Sequence, residues 1–170
     1  MTPDGEFEAL FHAYQQPITT YLSHVTGNTE QAEDLAQDTF LRAYRALLRG
    51  EHVEHPKAWL YRIATNVAND RWRRARLLRW LPLLDNVYEP GLRAPNQAED
   101  VAERLAVQSA LARLQPGYRI PLVLHLCEGL SIAEIGEVLG ISQGAVKMRL
   151  SRAREQFRQA FQRASEPDEM

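Results

Sequence analysis

One stretch near the C-terminal end of the chain constrains the possible folds more than any other, because its pattern predicts two short helices joined by a tight turn. Ser131 is predicted to cap the first helix, and Glu134, three residues later, completes a capping box. Gly140 then ends that helix, and Ser142 begins the next one. Two helices separated by a short turn that contains glycine form a helix-turn-helix motif. The chain is therefore expected to contain this motif, which by itself names no function.

The second helix of this motif has an apolar face and a cationic one. Its apolar stripe recurs at helical spacing and consists of Val146, Leu150, Ala153 and Phe157. The opposite side carries short or adaptable side chains between cations, which suits the major groove of DNA, because the flanks meet phosphates while the middle reaches base edges. A solvated face of a helical bundle is the alternative. The residues predicted to contact DNA are Lys147, Met148, Arg149, Ser151, Arg152 and Arg154.

Composition sets the broad class of the chain. Its 170 residues suffice for one domain or two small ones, and 45% hydrophobic with 25% charged content is typical of a soluble globular protein. The chain has no run of about 18 apolar residues and no signal-peptide pattern at its acidic N-terminus, so no membrane insertion is expected. The one cysteine, Cys127, excludes an internal disulfide, and a cytoplasmic location is expected.

The formal net charge of −2 hides two basic blocks. The first contains no acid and consists of Arg71, Arg73, Arg74, Arg76 and Arg79. The second surrounds a single acid, Glu155, and consists of Lys147, Arg149, Arg152, Arg154, Arg158 and Arg163. Two basic surfaces on an otherwise acidic chain predict two separate contacts with nucleic acid.

The first half of the chain begins with two segments of helical periodicity. Over residues 7–25 apolar side chains keep a three- or four-residue spacing, and Pro17 is expected to kink this helix or to start a second one. A helix over residues 30–48 buries one face and leaves an acidic face on the other side. That face can dock a basic partner, although periodicity alone favours a solvated helix surface. Its polar residues are Asp34, Gln37 and Asp38.

A third helix is predicted from Lys57 to about Arg79, with Pro56 in its first turn. Beside its apolar stripe runs a face with an aromatic ring, amides and arginines, formed by Trp59, Arg62, Asn66, Asn69 and Arg73. Such groups suit single-stranded nucleic acid, which offers base faces for stacking and free base edges for hydrogen bonds. The alternative interpretation is that Trp59 and Trp72 are core residues. This alternative does not explain the basic run that follows, because charged side chains are rarely buried in a core.

The second half of the chain follows a linker, which three prolines predict over residues 81–97. Helicity resumes at Ala98, and a very apolar segment over residues 118–128 predicts a central helix packed on both sides. His125 and Cys127 lie within it and are expected to be core or half-buried residues rather than metal ligands. No metal site, cofactor site or catalytic residue is predicted. The stripe of the helix after Ala98 comprises Val101, Leu105, Gln108, Leu111 and Ala112.

With these pieces in order, the chain resembles a bacterial alternative sigma factor of the extracytoplasmic-function (ECF) group of the sigma-70 family. AEDLAQDTFLRAYRAL (Ala32–Leu47) is similar to the family's region 2.2, and WLYRIATNVANDRWRR (Trp59–Arg74) to its −10-reading region. The stretch from Leu114 to Glu155, which holds the helix-turn-helix, is similar to region 4. The resemblance covers roughly Phe7 to Phe161, and its three motifs stand in the family's order.

The resemblance implies an all-α fold of two small helical domains joined by a flexible linker. The first domain, residues 1–80, would bind core RNA polymerase and the −10 element. The linker, residues 81–97, would pass through the RNA exit path. The second domain, residues 98–164, would read the −35 element of promoter DNA and touch the polymerase β flap. Residues 165–170 would form an acidic tail, and an anti-sigma factor is an expected further partner.

The resemblance also implies roles for individual residues. The acidic face of Asp34, Gln37 and Asp38 would bind the clamp helices of the polymerase β′ subunit. The loop Arg49–Ala58 and the third helix would hold the melted −10 strand, with one base flipped into a pocket. Met148 and Ser151 depart from the family pattern in the recognition helix, so the −35 preference is left open. The −10 set comprises Trp59, Arg62, Asn66, Arg73, Arg74 and Arg76.

Two other classes of function compete with a sigma factor. A two-domain helix-turn-helix regulator that acts without polymerase explains the helical stripes, but neither the basic run after Asp70 nor the long acidic face. An enzyme such as a nuclease needs clustered carboxylates or a nucleophile with its base, and no such motif occurs. The sequence therefore predicts a promoter-binding initiation factor that is not an enzyme.

Overall fold

Over residues 2–79 and 98–165, which a computed structural model of the protein describes, the chain consists of helices, and this part contains no strand. The all-α prediction is confirmed. The predicted linker and the tail beyond Ser165 lie outside the described residues. The helices are α1 (Pro3–Thr26), α2 (Thr29–Leu48), α3 (Pro56–Arg79), α4 (Ala98–Arg113), α5 (Pro116–Leu126), α6 (Ile132–Leu139) and α7 (Gln143–Ser165).

Helices α1 to α3 form the first domain, in which each helix end follows a local signal. Gly27 adopts φ 70° and donates its N–H to Ser23 O at 2.8 Å, which ends α1. Asn28 then caps α2, because its Oδ1 accepts the N–H of Gln31 at 2.9 Å. Pro17 lies inside a single continuous α1, so the predicted possibility of a second helix is wrong.

Burial next to Pro17 explains why α1 continues through it. A proline inside a helix costs about 3 kcal/mol. Ile18, Tyr21 and Leu22 follow immediately and are fully buried, and each buried side chain of this size contributes about 1.5–3 kcal/mol. Packing of the helix on its neighbours therefore outweighs the local break.

Helices α4 to α7 form the second domain, and the predicted helix-turn-helix is confirmed. The hydroxyl of Ser131 accepts the N–H of Glu134, while the Glu134 carboxylate accepts the N–H of Ser131 at 2.7 Å, so the capping box is complete. Gly140 ends α6 with φ 64°. The backbone is also close here, because a Cβ on Gly136 would lie 3.0 Å from Ile141 O. The tight turn sets α7 against α6.

The register predicted for α4 is wrong in part. Leu111 is buried as expected, but Gln108 and Ala112 are exposed. The buried side runs instead through Ala110 and Leu111 to Leu114, which is 2% exposed. An alanine-rich helix offers two possible stripes, and packing on α7 selects the one that continues into Leu114.

The two domains pack against each other, which the sequence did not predict. Helix α1 contacts α4 and α5, and α3 contacts α6, so that the buried residues form one continuous core. Arg119 of α5, only 8% exposed, joins the two domains. Its guanidinium donates to the carbonyl of Val25 at the end of α1, at 2.8 Å. It also donates to carbonyls near the end of α4, those of Leu111, Ala112 and Leu114.

These contacts place one cation between the C-termini of two helices. The last carbonyls of a helix have no partner within it, and the negative end of its dipole favours a positive charge. Arg119 serves both needs for α4, and it does the same for α1 across the domain boundary. The closed packing of the domains is therefore built on specific polar contacts as well as on apolar area.

Candidate nucleic-acid and docking interfaces

The face of α7 that the sequence assigned to DNA is open to solvent. Val146, Leu150 and Ala153 are buried beneath it, at most 2% exposed, and hold the helix against the rest of the second domain. Phe157, the fourth residue of the stripe, is half-buried. Met148 lies on the open side and is 51% exposed. The cations and hydroxyl around it are Lys147, Ser151, Arg152 and Arg154, all exposed, and Arg149, which is half-buried.

The N-terminal end of α7 is shaped for close approach to a backbone or groove. The hydroxyl of Ser142 accepts the N–H of Ala145 at 3.2 Å, and Gly144 in the first turn carries no side chain. Further along the helix, a hydrogen bond from Arg158 is the main cause that lowers the pKa of the exposed Glu155. The lone acid of this basic block thus stays ionised and engaged with a neighbour, away from the middle of the open face.

The face of α3 that was predicted to hold a single strand is mostly exposed. Arg62, Asn66 and Arg73 are open to solvent, as are Arg74 and Arg76 beyond them. Trp59 is half-buried and packs against the core of the first domain. The interpretation of Trp59 as a core residue therefore holds in part, and its role as a stacking platform stays a prediction.

A cavity of about 370 Å³ opens at the start of this face. Trp59 and Arg62 line it from α3, and the loop before α3 contributes His52 to His55. Glu137 of α6 closes it from the second domain. The loop predicted to receive a flipped base therefore borders a cavity beside an aromatic ring.

Asp70 forms an ion pair with Arg73, one of the residues predicted to bind the −10 strand. Its carboxylate accepts from Arg73 at 2.8 Å and from Arg42 of α2 at 3.0 Å. Arg73 remains 73% exposed in this pair, and exposed ion pairs contribute only about 0–1 kcal/mol. A phosphate can therefore draw Arg73 away at little cost.

The acidic face of α2 surrounds a shallow depression of about 390 Å³. Asp34, Gln37 and Asp38 line it together with Leu41, an apolar side chain that is 45% exposed. Arg71 of α3 also borders it, which sequence reasoning missed because the residue lies on another helix. Carboxylates around an exposed leucine form a surface that suits a basic partner with an apolar centre.

Glu128, between α5 and α6, connects the second domain to α3. Its carboxylate accepts the hydroxyl of Tyr61 at 2.6 Å, and its backbone carbonyl accepts Lys57 Nζ at 3.1 Å. Burial first, and then this hydrogen bond, raise the pKa of Tyr61 well above its usual value. The sequence analysis did not identify Glu128, Tyr61 or Lys57 as residues that connect the domains. The available sequence signal of a contact between the domains was Arg119, a charged residue in an otherwise apolar helix.

The described residues contain no cluster that could hold a metal ion. His125, which the sequence placed in or near the core, is half-buried, and its Nδ1 lies 3.0 Å from Leu130 O. No helix in the described part of the chain is long and apolar enough to cross a membrane.

Comparison with known proteins identifies the family of the chain that carries these surfaces. The family model for Sigma-70 region 2 matches residues 10–77, and that for Sigma-70 region 4 matches residues 104–157. The ECF RNA polymerase sigma factor SigL of Mycobacterium tuberculosis is 32% identical over 143 residues, which cover 84% of this chain and 81% of SigL. The chain belongs to the ECF group of the sigma-70 family. The resemblance stated from the sequence is thereby confirmed.

Solved structures agree with the fold of this sigma factor. The sigma factor RpoE of Bartonella quintana, solved in complex with the anti-sigma factor NepR, superposes with a TM-score of 0.78 at 23% identity. That match covers 92% of this chain and 97% of RpoE. CnrH, solved in complex with the cytosolic domain of CnrY, gives a TM-score of 0.61 at 27% identity over 94% of this chain and 89% of CnrH.

Membership of the family settles the choice between the classes of function. The protein is an alternative sigma factor, which binds core RNA polymerase and recognises promoter DNA. A regulator that acts without polymerase is therefore the wrong alternative. Sigma factors are transcription initiation factors.

Proposed function

We propose that the sigma factor divides its work among three surfaces. The acidic face of α2 binds the clamp helices of the β′ subunit through Asp34, Gln37 and Asp38. The exposed face of α3 holds the melted −10 strand, and α7 reads the −35 element. The observation that carries the proposal is that residues 2–79 and 98–165 present one acidic and two basic surfaces, each exposed and each on its own helix. Domain limits of 1–80, 81–97 and 98–164 are part of the proposal.

The docking role is supported by the depression on α2. A leucine that is 45% exposed between carboxylates is costly to leave in water, and a partner that covers it gains apolar burial as well as charge attraction. Residues of the opposite face, such as Ala36 and Phe40, are buried and hold α2 in place. The acidic side chains therefore project from a rigid helix.

The strand-binding role is supported by the order of groups along α3. Trp59 offers part of a ring beside the 370 Å³ cavity, Arg62 and Asn66 follow one and two turns later, and the basic block of Arg73, Arg74 and Arg76 continues along the helix. Base stacking with aromatic side chains contributes about 1–3 kcal/mol per base. In this proposal a flipped base enters the cavity, and capture of the unpaired strand promotes promoter melting.

The −35 role is supported by the open side of α7. Lys147 and Arg152 can donate to guanine O6 and N7 or to phosphates, while Met148 can make an apolar contact with a thymine methyl. Arg149 and Arg154 flank this centre and are placed to meet the backbone. Ser151 adds a small hydroxyl that can act as donor or acceptor.

Further partners follow from the family resemblance. We propose contact of the second domain with the β flap, and control by an anti-sigma factor in the cytoplasm. RpoE and CnrH, which share this fold, were both solved with a second protein bound, an anti-sigma factor in the case of RpoE. As a subunit of the initiating polymerase the protein needs no catalytic residue or cofactor of its own.

The docking proposal is tested by charge reversal. Asp38→Lys should lower affinity for core polymerase about 30-fold or more, because an interfacial charge that meets its own sign costs at least about 2 kcal/mol. Glu33→Lys makes the same charge change at an exposed position of α2 outside the depression and should have little effect. Fluorescence anisotropy with labelled sigma factor measures both. Equal affinity of Asp38→Lys and the unaltered chain would contradict the assignment.

A further inference from the structure

An acidic residue lies on the face of α3 that is proposed to bind the melted −10 strand. Asp70 comes four residues after Asn66 and three before Arg73, so the three side chains are neighbours along one side of the helix. The side chain of Asp70 is 33% exposed and is therefore accessible to a strand on this side. An uncompensated carboxylate at this place would repel phosphates and would hold Arg73 back from them.

A cation from a different helix compensates this carboxylate. Arg42 of α2 donates from its guanidinium to Asp70 Oδ2 at 3.0 Å, while Arg73 donates to the other oxygen, Oδ1, at 2.8 Å. The two arginines use separate oxygens, so neither displaces the other. Two bases and one acid leave this group of three with a single net positive charge.

The two arginines differ in how readily they can leave Asp70. Arg42 is 39% exposed, and its neighbours on the same side of α2, Thr39 and Ala46, are buried. Its side chain therefore runs along the contact between α2 and α3. Arg73 is 73% exposed and projects into solvent. A phosphate that approaches α3 thus recruits Arg73 more easily than Arg42.

An exchange of partners follows from this difference. When Arg73 turns to a phosphate, Asp70 keeps Arg42, and no unpaired carboxylate is left beside the strand. Without Arg42 the same movement would expose a bare carboxylate to the phosphate, and like charges repel more strongly the closer they lie. The carboxylate would otherwise retain Arg73 for itself, which would remove that cation from strand binding.

We propose that Arg42 is a positioning residue for the −10 strand. It neutralises Asp70 and thereby releases Arg73 to bind a phosphodiester group of the strand, without touching the DNA itself. The helix proposed to dock polymerase thus also supports strand binding, through a side chain outside the acidic depression. The proposal rests on the role of α3 in strand binding given above.

The nature of the bound group determines what an experiment should measure. A phosphate contact carries no sequence information, so loss of Arg42 should change affinity and its salt dependence rather than sequence preference. The probe is therefore a fluorescein-labelled single-stranded oligonucleotide of mixed sequence, titrated with the full chain at several salt concentrations. Polymerase is left out, so that any effect of α2 on docking does not enter the measurement.

Arg42→Gln should weaken binding about fivefold at low salt and lower the salt slope by about 0.7, which corresponds to one phosphate contact on a single strand. Arg42→Lys keeps the cation and should retain most of the affinity. The matched control is Arg45→Gln, which makes the same charge change at an exposed position of α2 and should bind like the unaltered chain. Far-ultraviolet circular dichroism checks each variant, and binding lost only together with helicity would overturn the proposal.

Asp70→Asn distinguishes positioning from direct contact with DNA. In the Arg42→Gln background it removes the carboxylate that is no longer neutralised, and it should restore both affinity and salt slope. In the unaltered background it should change affinity less than about twofold, because Asp70 is already neutralised there. If Asp70→Asn improves binding by the same factor in both backgrounds and the slope stays low, Arg42 contacts a phosphate itself and the positioning role is overturned.

Arg73→Gln separates failure of this proposal from failure of the strand-binding role. If it weakens oligonucleotide binding while Arg42→Gln binds like Arg45→Gln, α3 binds the strand without help from α2, and the proposal is overturned by itself. If only Arg62→Ala weakens binding, the strand lies elsewhere on α3 and the release of Arg73 is overturned. If neither Arg73→Gln nor Arg62→Ala has an effect, the strand-binding role fails and the proposal falls with it.

Discussion

Loss of Arg119 should destabilise this protein more than loss of any exposed cation, because its guanidinium serves the C-termini of two helices. Arg119→Met keeps a long apolar side chain but removes the charge and every N–H donor. Leu111 O retains a hydrogen bond from the N–H of Leu114 at 3.1 Å. The acceptors that lose a donor without this compensation are the carbonyls of Ala112, Leu114 and Val25.

The magnitude follows from those three carbonyls. A buried acceptor left without its donor costs about 1–3 kcal/mol. The low end applies, since a carbonyl at a helix end has a second lone pair and can reach water. Three acceptors then amount to about 3 kcal/mol, a large share of the roughly 5–15 kcal/mol that stabilises a typical domain. With a urea m-value of about 2 kcal/mol per M, the unfolding midpoint should fall by about 1.5 M.

Urea unfolding of the full chain, followed by far-ultraviolet circular dichroism, measures this loss. Arg113→Met removes an exposed arginine from the end of α4 and should stay within about 0.5 kcal/mol of the unaltered chain. Arg119→Lys should fall between the two, because an ammonium group offers three donors where a guanidinium offers five. A loss below about 1 kcal/mol in Arg119→Met would refute the reasoning, since a single unsatisfied acceptor already costs that much.

Four further predictions concern the two helices proposed to bind DNA and the turn before α7. Asn66→Ala should abolish transcription from duplex promoters but retain much activity on pre-melted templates in run-off assays; equal loss on both would count against strand capture. Met148→Ser in holoenzyme should shift the preference at one −35 position by about 1 kcal/mol. Arg154→Ala should instead weaken all sequences alike and lower the salt slope by about one unit. Gly140→Ala should lower the free energy of unfolding by about 1–2 kcal/mol, because φ is 64° there. The control is Gly117→Ala, at an open helical position, which should be neutral or slightly stabilising. An equal loss of unfolding free energy in the two alanine variants would show that backbone strain at Gly140 is not the cause.

Local signals predicted most of the fold. The capping box at Ser131 and the left-handed glycines Gly27 and Gly140 each act over a few residues, and each lies where the pattern placed it. The exposed face of α7, which we propose reads DNA, was equally predictable, because one helix determines which side chains lie opposite its buried stripe. The acidic face of α2 was visible too, but its role came from the family resemblance rather than from periodicity.

Contacts between distant segments were not predictable in the same way. Arg71 borders the depression on α2 only because α3 packs beside it, and Glu128 meets Tyr61 across 67 positions of sequence. The register of α4 was ambiguous, since alanines fit either side of a helix and the choice depends on α7. Such features depend on tertiary packing, which periodicity does not encode.

The position of Arg119 also determines how the two domains can assemble during folding. Its hydrogen bonds to Leu111, Ala112 and Leu114 all lie within the second domain, so folding of that domain is sufficient to order the side chain. Ordering a free arginine would cost up to about 2 kcal/mol of side-chain entropy. Here that cost is already met on folding of the second domain, before the first domain brings Val25 O to the guanidinium. Arg119 is thus a preorganised receptor for the end of α1, and the first domain can dock without any rearrangement of this side chain.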